Sequence, residues 1–271
     1  MNILLTGDNG FVGRHAAQAL KQAGYQVKGL EAEPTFWDWK EKVEKINFHG
    51  IRGVVHAGAL TFNQCELPDI FLWNAYASHI LAKQVKETGG SMPFIFFSSF
   101  QVNVVEQTPE KASWYGWSKK YAEDNILEIF PLATILRPSV MWGDESHKKG
   151  SGASVPFQLA THQLKYLYEE WGRDYVHVND VTRAICTALV DKPSGIFNLN
   201  GEYWWNKDLR RLTGWDDYDV IDTEDKPQTF DADIRPMDLV GLQQLPNWKY
   251  SSSLEEEFKK LEAKFIYAKD S

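Results

Sequence analysis

Residues Ile3 to Leu5 form a short apolar run that passes straight into Thr6-Gly7-Asp8-Asn9-Gly10-Phe11-Val12-Gly13, and Arg14 to Ala23 then carry a helical period. A glycine-rich turn between a strand and a helix is the tightest constraint in this chain. Its backbone N–H groups face one point at a helix N-terminus, where the helix dipole favours an anion such as a pyrophosphate. Glycines at 7, 10 and 13 allow the tight turn, the close approach of a dinucleotide and the packing of helix on strand. The pattern is GxxGxxG and lacks the second glycine of GxGxxG, so its context carries the reading: a strand before, a helix after, and Glu31 at the end of the next strand.

Short β-type runs alternate with helix-period segments along the following chain. Ile3–Thr6, Gln26–Leu30, Gly53–His56, Phe94–Ser98, Thr134–Leu136 and Phe197–Leu199 read as strands, with helices starting near Val12, Trp37, Pro68, Tyr115 and Asp180. Several strands are continuously apolar, as expected when both faces of a sheet are covered. The fold class is therefore α/β, a Rossmann-type doubly wound parallel sheet with a smaller, mostly C-terminal substrate lobe. Asp144 to Ala153 turn charged and Gly/Ser-rich and read as a loop leaving the sheet. The expected dinucleotide-binding domain comprises residues 1–143 and 176–200, and the substrate lobe residues 144–175 and 201–271. In that lobe Asn206 reads as an N-cap, and Ser253-x-x-Glu256 as a capping box opening the last helix.

Composition excludes several classes. No run approaches the roughly 20 apolar residues that span a bilayer, and the first strand begins at Asn2 with no room for a leader, so a cytoplasmic protein is expected. Cys65 and Cys186 are the two cysteines of the chain, which removes a disulfide framework and a cysteine-based zinc site, and no metal is expected. A formal charge of −8 argues against a nucleic-acid partner, because a phosphate-binding surface normally shows a basic excess. Tryptophan is frequent, at 11 residues. Most are expected to pack in cores and seams, with Trp114, Trp117 and Trp142 the candidates for a pocket wall because they flank other site residues.

The cofactor reading draws on Gly7, Asn9, Gly10, Phe11, Val12 and Gly13. Glu31 at the end of the second strand can bind both ribose hydroxyls and would repel a 2′-phosphate, so NAD is favoured over NADP, although Lys28 and Arg14 lie near enough to blur the preference. His56, Ala57, Gly58 and Ala59 form a run of small residues at the end of a strand. It suits either a cofactor lying against the backbone or close helix packing.

Tyr115 and Lys119 stand four apart on an expected helix and so share a face. A free tyrosine, with a pKa of about 10, is a poor base at neutral pH until a neighbouring cation stabilises the phenolate. Lys119 supplies that charge and can also hold a nicotinamide ribose. A strand ending in Ser98-Ser99 precedes the pair.

In this order the motifs resemble the extended short-chain dehydrogenase/reductase family, in particular its NAD-dependent nucleotide-sugar epimerase/reductase branch. The likeness rests on the glycine turn, Val55-His56-Ala57-Gly58-Ala59, Asn74, Phe94 to Ser99, and Tyr115-x-x-x-Lys119. It continues through Ile135-Leu136-Arg137-Pro138 with Gly143, Arg173 to Val181, Phe197 to Gly201, and Arg235-Pro236. The resemblance implies that Ser99 hydrogen-bonds the reacting oxygen, Tyr115 acts as acid/base and Lys119 holds and tunes it. It adds Pro138 to the cofactor set and implies that Arg173 and Arg235 grip the diphosphate of a sugar nucleotide. Relatives of this kind often pair as homodimers through the helices bearing Asn74 and the Tyr/Lys motif.

Departures from the family pattern bear on the substrate. Phe100 and Gln101 stand where dehydratases carry an acidic pair, which sets elimination chemistry aside. Val140 replaces an asparagine that many 4-epimerases place after Arg-Pro-x. The expected activity is that of an isomerase, an NAD(P)-dependent nucleotide-sugar epimerase oxidising a sugar hydroxyl transiently at C4. Three alternatives stay open: an oxidoreductase acting once on a keto-sugar nucleotide, an enzyme of a non-nucleotide substrate, and an inactive cofactor-binding scaffold. Binding of a nucleoside diphosphate alone would separate the epimerase and the keto-sugar reductase from the enzyme of a non-nucleotide substrate.

Overall fold

Alternating apolar runs and helical periods fold as a wound sheet. The computed structural model describes residues 1–30, 33, 35–61, 67–89, 92–146, 153–221 and 243–266. Glu31, Cys65 and Arg235, and part of the 144–153 loop, lie outside them. In chain order the strands are β1 (Asn2–Thr6), β2 (Gln26–Leu30), β3 (Ile51–His56), β4 (Phe94–Phe97), β5 (Thr134–Pro138), β6 (Val140–Trp142), β7 (Tyr166–Tyr168), β8 (Gly172–His177), β9 (Gly195–Leu199), β10 (Glu202–Trp205) and β11 (Asp219–Ile221). The helices are α1 (Phe11–Gln22), α2 (Phe36–Glu44), α3 (Leu67–Phe71), α4 (Ala77–Gly89), α5 (Gln101–Gln107), α6 (Trp114–Ile129), α7 (Val155–Ala160), α8 (Val178–Asp191), α9 (Asn206–Leu209) and α10 (Leu254–Phe265), with a π turn at Leu72–Tyr76 between α3 and α4. Among the described residues no helix is long and apolar enough to cross a membrane.

The chain forms two units. The first comprises Met1–Pro138, Thr182–Asn198 and Gln243–Trp248, and the second Ser139–Val181, Leu199–Leu242 and Lys249–Ser271.

A six-stranded sheet in the order β2-β1-β3-β4-β5-β9 builds the first unit, with β1 to β5 paired in parallel. The inner strands are apolar on both faces because helices cover both, and Leu4, Val54, Phe96 and Ile135 are fully buried. On one side Leu81 and Val85 of α4 meet Ala122 and Ile126 of α6 in a common core with Phe94 and Phe130, whose rings stack at 5.2 Å. Each of the larger side chains among these contributes about 2 kcal/mol by leaving water. Helix α6 starts where Ser113 Oγ accepts the Gly116 N–H at 3.0 Å, an N-cap that fixes the phase of every side chain after it.

The second unit holds a three-stranded sheet, β10-β8-β6, in which β8 runs antiparallel to β10 and parallel to β6, and a parallel pair of β11 with β7. Its core gathers Trp142, Phe157, Tyr175, Leu209 and Phe258. Ser253 caps α10 by accepting the Glu256 N–H, as the capping box implies. Asn206 differs from expectation by one residue: Trp205 is the N-cap of α9, and the Asn206 side chain instead donates to the Tyr168 carbonyl at 2.9 Å.

Candidate active site

From β1 the chain crosses to β2 on one side of the sheet, and from β3 it crosses to β4 on the other. The carboxyl ends of β1 and β3 therefore diverge at a topological switch point, where open α/β sheets bind ligands. A cleft of about 300 Å³ opens there. Gly7, Asn9, Gly10 and Gly58 present backbone on one side, and Leu30, Trp39 and Trp73 form an apolar wall.

Two glycines make the loop possible. Gly7 adopts φ +69°, and a Cβ on it would lie 2.6 Å from Gly58 Cα; a Cβ on Gly13 would lie 1.9 Å from the Gly7 carbonyl oxygen. Phe11 and Gly13 are buried and hold α1 beneath the loop, with Val12 between them. This glycine-lined cradle at the start of α1, with the apolar side chains of Leu30, Trp39 and Trp73 in the same cleft, fits a dinucleotide: the loop would hold a pyrophosphate and the apolar side chains would cover a base.

His56 and Gly58 owe their position to a buried relay. The Gly58 N–H donates to Thr6 Oγ1 at 3.0 Å, Thr6 Oγ1 meets His56 Nδ1 at 2.6 Å, His56 Nε2 meets Ser78 Oγ at 2.8 Å, and Ser78 Oγ donates to the Asn74 carbonyl at 2.6 Å. Ser78 spends its proton on Asn74, so it must accept from His56 Nε2–H, and Nδ1 must accept from Thr6. The ring is neutral: burial, and then the positive charge of Lys119, push its pKa down to about 3. His56 is thus a structural tie between the β1 and β3 ends, with Ala57 between it and the Gly58 contact.

Tyr115, Lys119 and Glu123 follow one another at single-turn spacing on α6. Tyr115 is half-buried, and its backbone carbonyl accepts from Ser118 Oγ at 2.8 Å. Ser118 Oγ in turn accepts from Asn74 Nδ2 at 3.0 Å, while the Asn74 amide also exchanges two 2.8 Å bonds with the backbone of Leu60. Asn74 thereby fastens the loop after β3 to the first turn of α6. Lys119 is buried, its ammonium 2.8 Å from the Phe97 carbonyl and 4.8 Å above the Phe96 ring. Desolvation lowers its pKa to about 7, against the opposing pull of Glu123.

The sign of that shift gives a measurable consequence. Between about pH 7 and 10.5 the unfolded chain holds a proton on Lys119 that the folded chain has released, so this residue lets stability rise with pH across that window. Below it, the buried charge bears its full cost. Lys119→Met should therefore gain on the parent at pH 6 and lose that advantage by pH 9.5, a swing on the order of 3 kcal/mol in denaturant unfolding. A pH-independent difference would show that Lys119 titrates normally.

At the end of β4, Ser99 is buried and its Oγ accepts from the Gln101 N–H at 3.2 Å, which leaves its O–H to be given to another acceptor. Ser98 Oγ is buried without a partner among the described residues. Phe100 N–H donates to the Pro138 carbonyl at 3.0 Å, joining the ends of β4 and β5. The Gln101 side chain is buried and accepts from Ser113 Oγ at 2.9 Å, so it steadies the cap of α6.

In the second unit Val140 opens β6 opposite Tyr175 of β8, and Arg173 on β8 is half-buried with its guanidinium 5.9 Å from the centre of the Trp171 ring. The tryptophan expectations divide. Trp142 is fully buried against His177, a core residue and not a pocket wall. Trp114 and Trp117 line an open aromatic groove with Phe71, Tyr76 and Tyr121, apart from the cofactor cleft. The tryptophans that do line the cleft, Trp39 and Trp73, were not singled out by sequence. They sit at 5.9 Å from each other, and their spacing on two separate helical elements carries no local signal.

Comparison with known proteins agrees with this geometry. A model of the NAD dependent epimerase/dehydratase family matches residues 3–199. The chain is 28% identical over 218 residues to a UDP-2-acetamido-2,6-beta-L-arabino-hexul-4-ose reductase of Pseudomonas aeruginosa, covering 74% of this chain and 53% of the reductase. It is 28% identical over 243 residues to an ADP-L-glycero-D-manno-heptose-6-epimerase of the same species, covering 73% of each. The chain thus spans about half the length of the reductase. Among solved structures, UDP-glucose 4-epimerase of Thermotoga maritima with UDP-glucose superposes over the whole of both chains with a TM-score of 0.74 at 24% identity, which shows a shared fold.

Proposed function

The chain belongs to the NAD dependent epimerase/dehydratase family, and from that premise we propose that it is an epimerase of a nucleotide-diphosphate sugar, acting by transient oxidation of one sugar hydroxyl, at C4. The observation that carries this reading is the single face of α6 on which Tyr115 and Lys119 stand, in the same unit as a dinucleotide-shaped cleft and beside β4, which Ser99 follows by two residues.

NAD, held at Gly7, Gly10 and Gly58, would supply the hydride acceptor for oxidation of the sugar carbon and the hydride donor for its reduction from the other face. The chain's own residues move the proton. Tyr115 as phenolate takes it from the hydroxyl as the carbonyl forms, and gives it back as the carbonyl is reduced. Lys119 lowers the cost of the phenolate by its charge and holds the ribose of the cofactor. Ser99 donates its O–H to the sugar oxygen through both half-reactions. Gly7, Gly10 and Gly58 supply the close backbone approach for the cofactor, with Glu31 on its ribose. Arg173 and Arg235 offer planar donor forks suited to the diphosphate of the substrate.

A second reading, one-way reduction of a keto-sugar nucleotide with NAD(P)H, is supported by the similarity to the Pseudomonas reductase. One experiment separates the two. The purified protein is incubated with NAD⁺ and a panel of nucleotide-diphosphate hexoses, and proton NMR follows the sugar while absorbance follows NADH. A new epimer without net NADH supports the epimerase. Oxidation of NAD(P)H that needs a keto-sugar nucleotide supports the reductase, and neither result with any nucleotide sugar removes both.

A further inference from the structure

Within the glycine loop, Asp8 alone turns a charged side chain toward the neighbouring strand. An ideal Cβ built on Gly29 of β2 would lie 2.0 Å from Asp8 Oδ2 and 3.1 Å from Oδ1. The carboxylate therefore occupies the space a side chain at position 29 would fill, and glycine there is what admits it. The Gly7 N–H donates to the Leu30 carbonyl at 3.3 Å, which pins the start of the loop to the last residue of β2. Asp8 Oδ1 is buried, and among the described residues nothing donates to it. Gly7 and Asn9 on either side of Asp8 line the cleft, so the half-buried Asp8 stands at its edge beside β2.

The fold says which part of a ligand that is. In a sheet of this winding the pyrophosphate rests on the loop and the adenosine ribose lies at the carboxyl end of the second strand, which here is Gly29-Leu30. A ribose 2′-hydroxyl can donate to a carboxylate, whereas a 2′-phosphate brings acceptor oxygens and between one and two negative charges. We propose that Asp8 is a cofactor-specificity residue: it accepts a hydrogen bond from a hydroxyl of the adenosine ribose and repels a 2′-phosphate, with Gly29 as the residue that makes room for it. The inference rests on the dinucleotide reading of the cleft and deepens it. It places a second carboxylate where the sequence pattern had pointed to Glu31 alone. The cations nearest in sequence, Lys28 at the surface of β2 and Arg14 on the first turn of α1, would act in the opposite sense.

The test is a binding experiment and needs no substrate. Full-length parent protein, Asp8→Asn and Glu31→Gln are titrated with NAD⁺ and with NADP⁺ by calorimetry, and the parent also with 5′-AMP and adenosine 2′,5′-bisphosphate, which differ by the 2′-phosphate alone. The parent should prefer NAD⁺, and Asp8→Asn should narrow that preference by about tenfold, chiefly through tighter NADP⁺ binding. An unchanged ratio in Asp8→Asn, a ratio that moves in Glu31→Gln alone, or a parent that prefers NADP⁺ would overturn the role of Asp8. Failure to bind either dinucleotide would overturn the cofactor reading together with it. Should Asp8→Asn prove unfolded by circular dichroism, the mononucleotide pair on the parent and on Asp8→Ser decides: a smaller preference for 5′-AMP in Asp8→Ser than in the parent supports the proposal, and an unchanged preference refutes it.

Discussion

Tyr115→Phe is expected to leave a folded protein whose turnover on its sugar nucleotide falls by about 10²- to 10⁴-fold, the range over which a positioned acid/base contributes. The loss corresponds to roughly 3 to 5 kcal/mol of transition-state stabilisation. The fold should tolerate the change because backbone and neighbouring side-chain bonds fasten this turn of α6. Ser118 bonds the Tyr115 backbone carbonyl, Asn74 bonds Ser118, and Ser113 caps the helix. The ring, half-buried, is kept in phenylalanine. Cofactor affinity should change little, so the effect belongs in kcat. Steady-state and single-turnover hydride transfer, measured beside thermal unfolding, check this. An unchanged kcat in a folded variant would take Tyr115 out of the mechanism, and a collapse of cofactor binding would mean that its role is positional.

Much of this arrangement was legible in the chain, for identifiable reasons. Strands β1 to β5 and β9 are short runs bounded by turn residues, and strands buried on both faces need no alternation to betray them. The glycine loop was legible because backbone geometry excludes other residues at Gly7 and Gly13. Tyr115 and Lys119 were legible because helical spacing is a sequence property.

Features made by elements distant in sequence were not legible. Helix α5, Gln-Val-Asn-Val-Val-Glu-Gln, is too rich in β-branched valine to announce itself, and packing settles it: Val102 and Val105 are buried. The same holds for β6 and β8, whose three- and six-residue runs gain their identity from each other. The bond of Gln101 to Ser113 is made by residues 12 apart and appears only once the residues after β4 and the start of α6 are adjacent. Asp8 carries no signal without Gly29 beside it, since the two are 21 positions apart and meet through strand pairing.

Arg137 shows how far such a long-range feature can matter to the site. Its guanidinium is buried and saturated: Nε and Nη2 donate to Glu123 at 2.9 and 2.6 Å, Nη1 and Nη2 to Glu106 at 2.8 Å each, and Nη1 to Asn103 Oδ1 at 2.6 Å. Asn103 extends the network to Asn198 at 2.7 Å. Burial opposes the charge, and the two glutamates outweigh it, so the guanidinium is held even more firmly protonated than usual. Glu106 reaches solvent, whereas the Glu123 side chain is 1% exposed. Arg137→Met should therefore cost about 3 to 5 kcal/mol, because it strands a buried carboxylate one turn beyond Lys119. Most of that loss is the penalty of the unpaired charge rather than the worth of the pair, so Arg137→Met with Glu123→Gln should recover at least half of it. Denaturant unfolding of both variants is the check. A single variant that costs under about 1 kcal/mol, or a double variant worse than the single, would show that this network does not hold the α6 face in place.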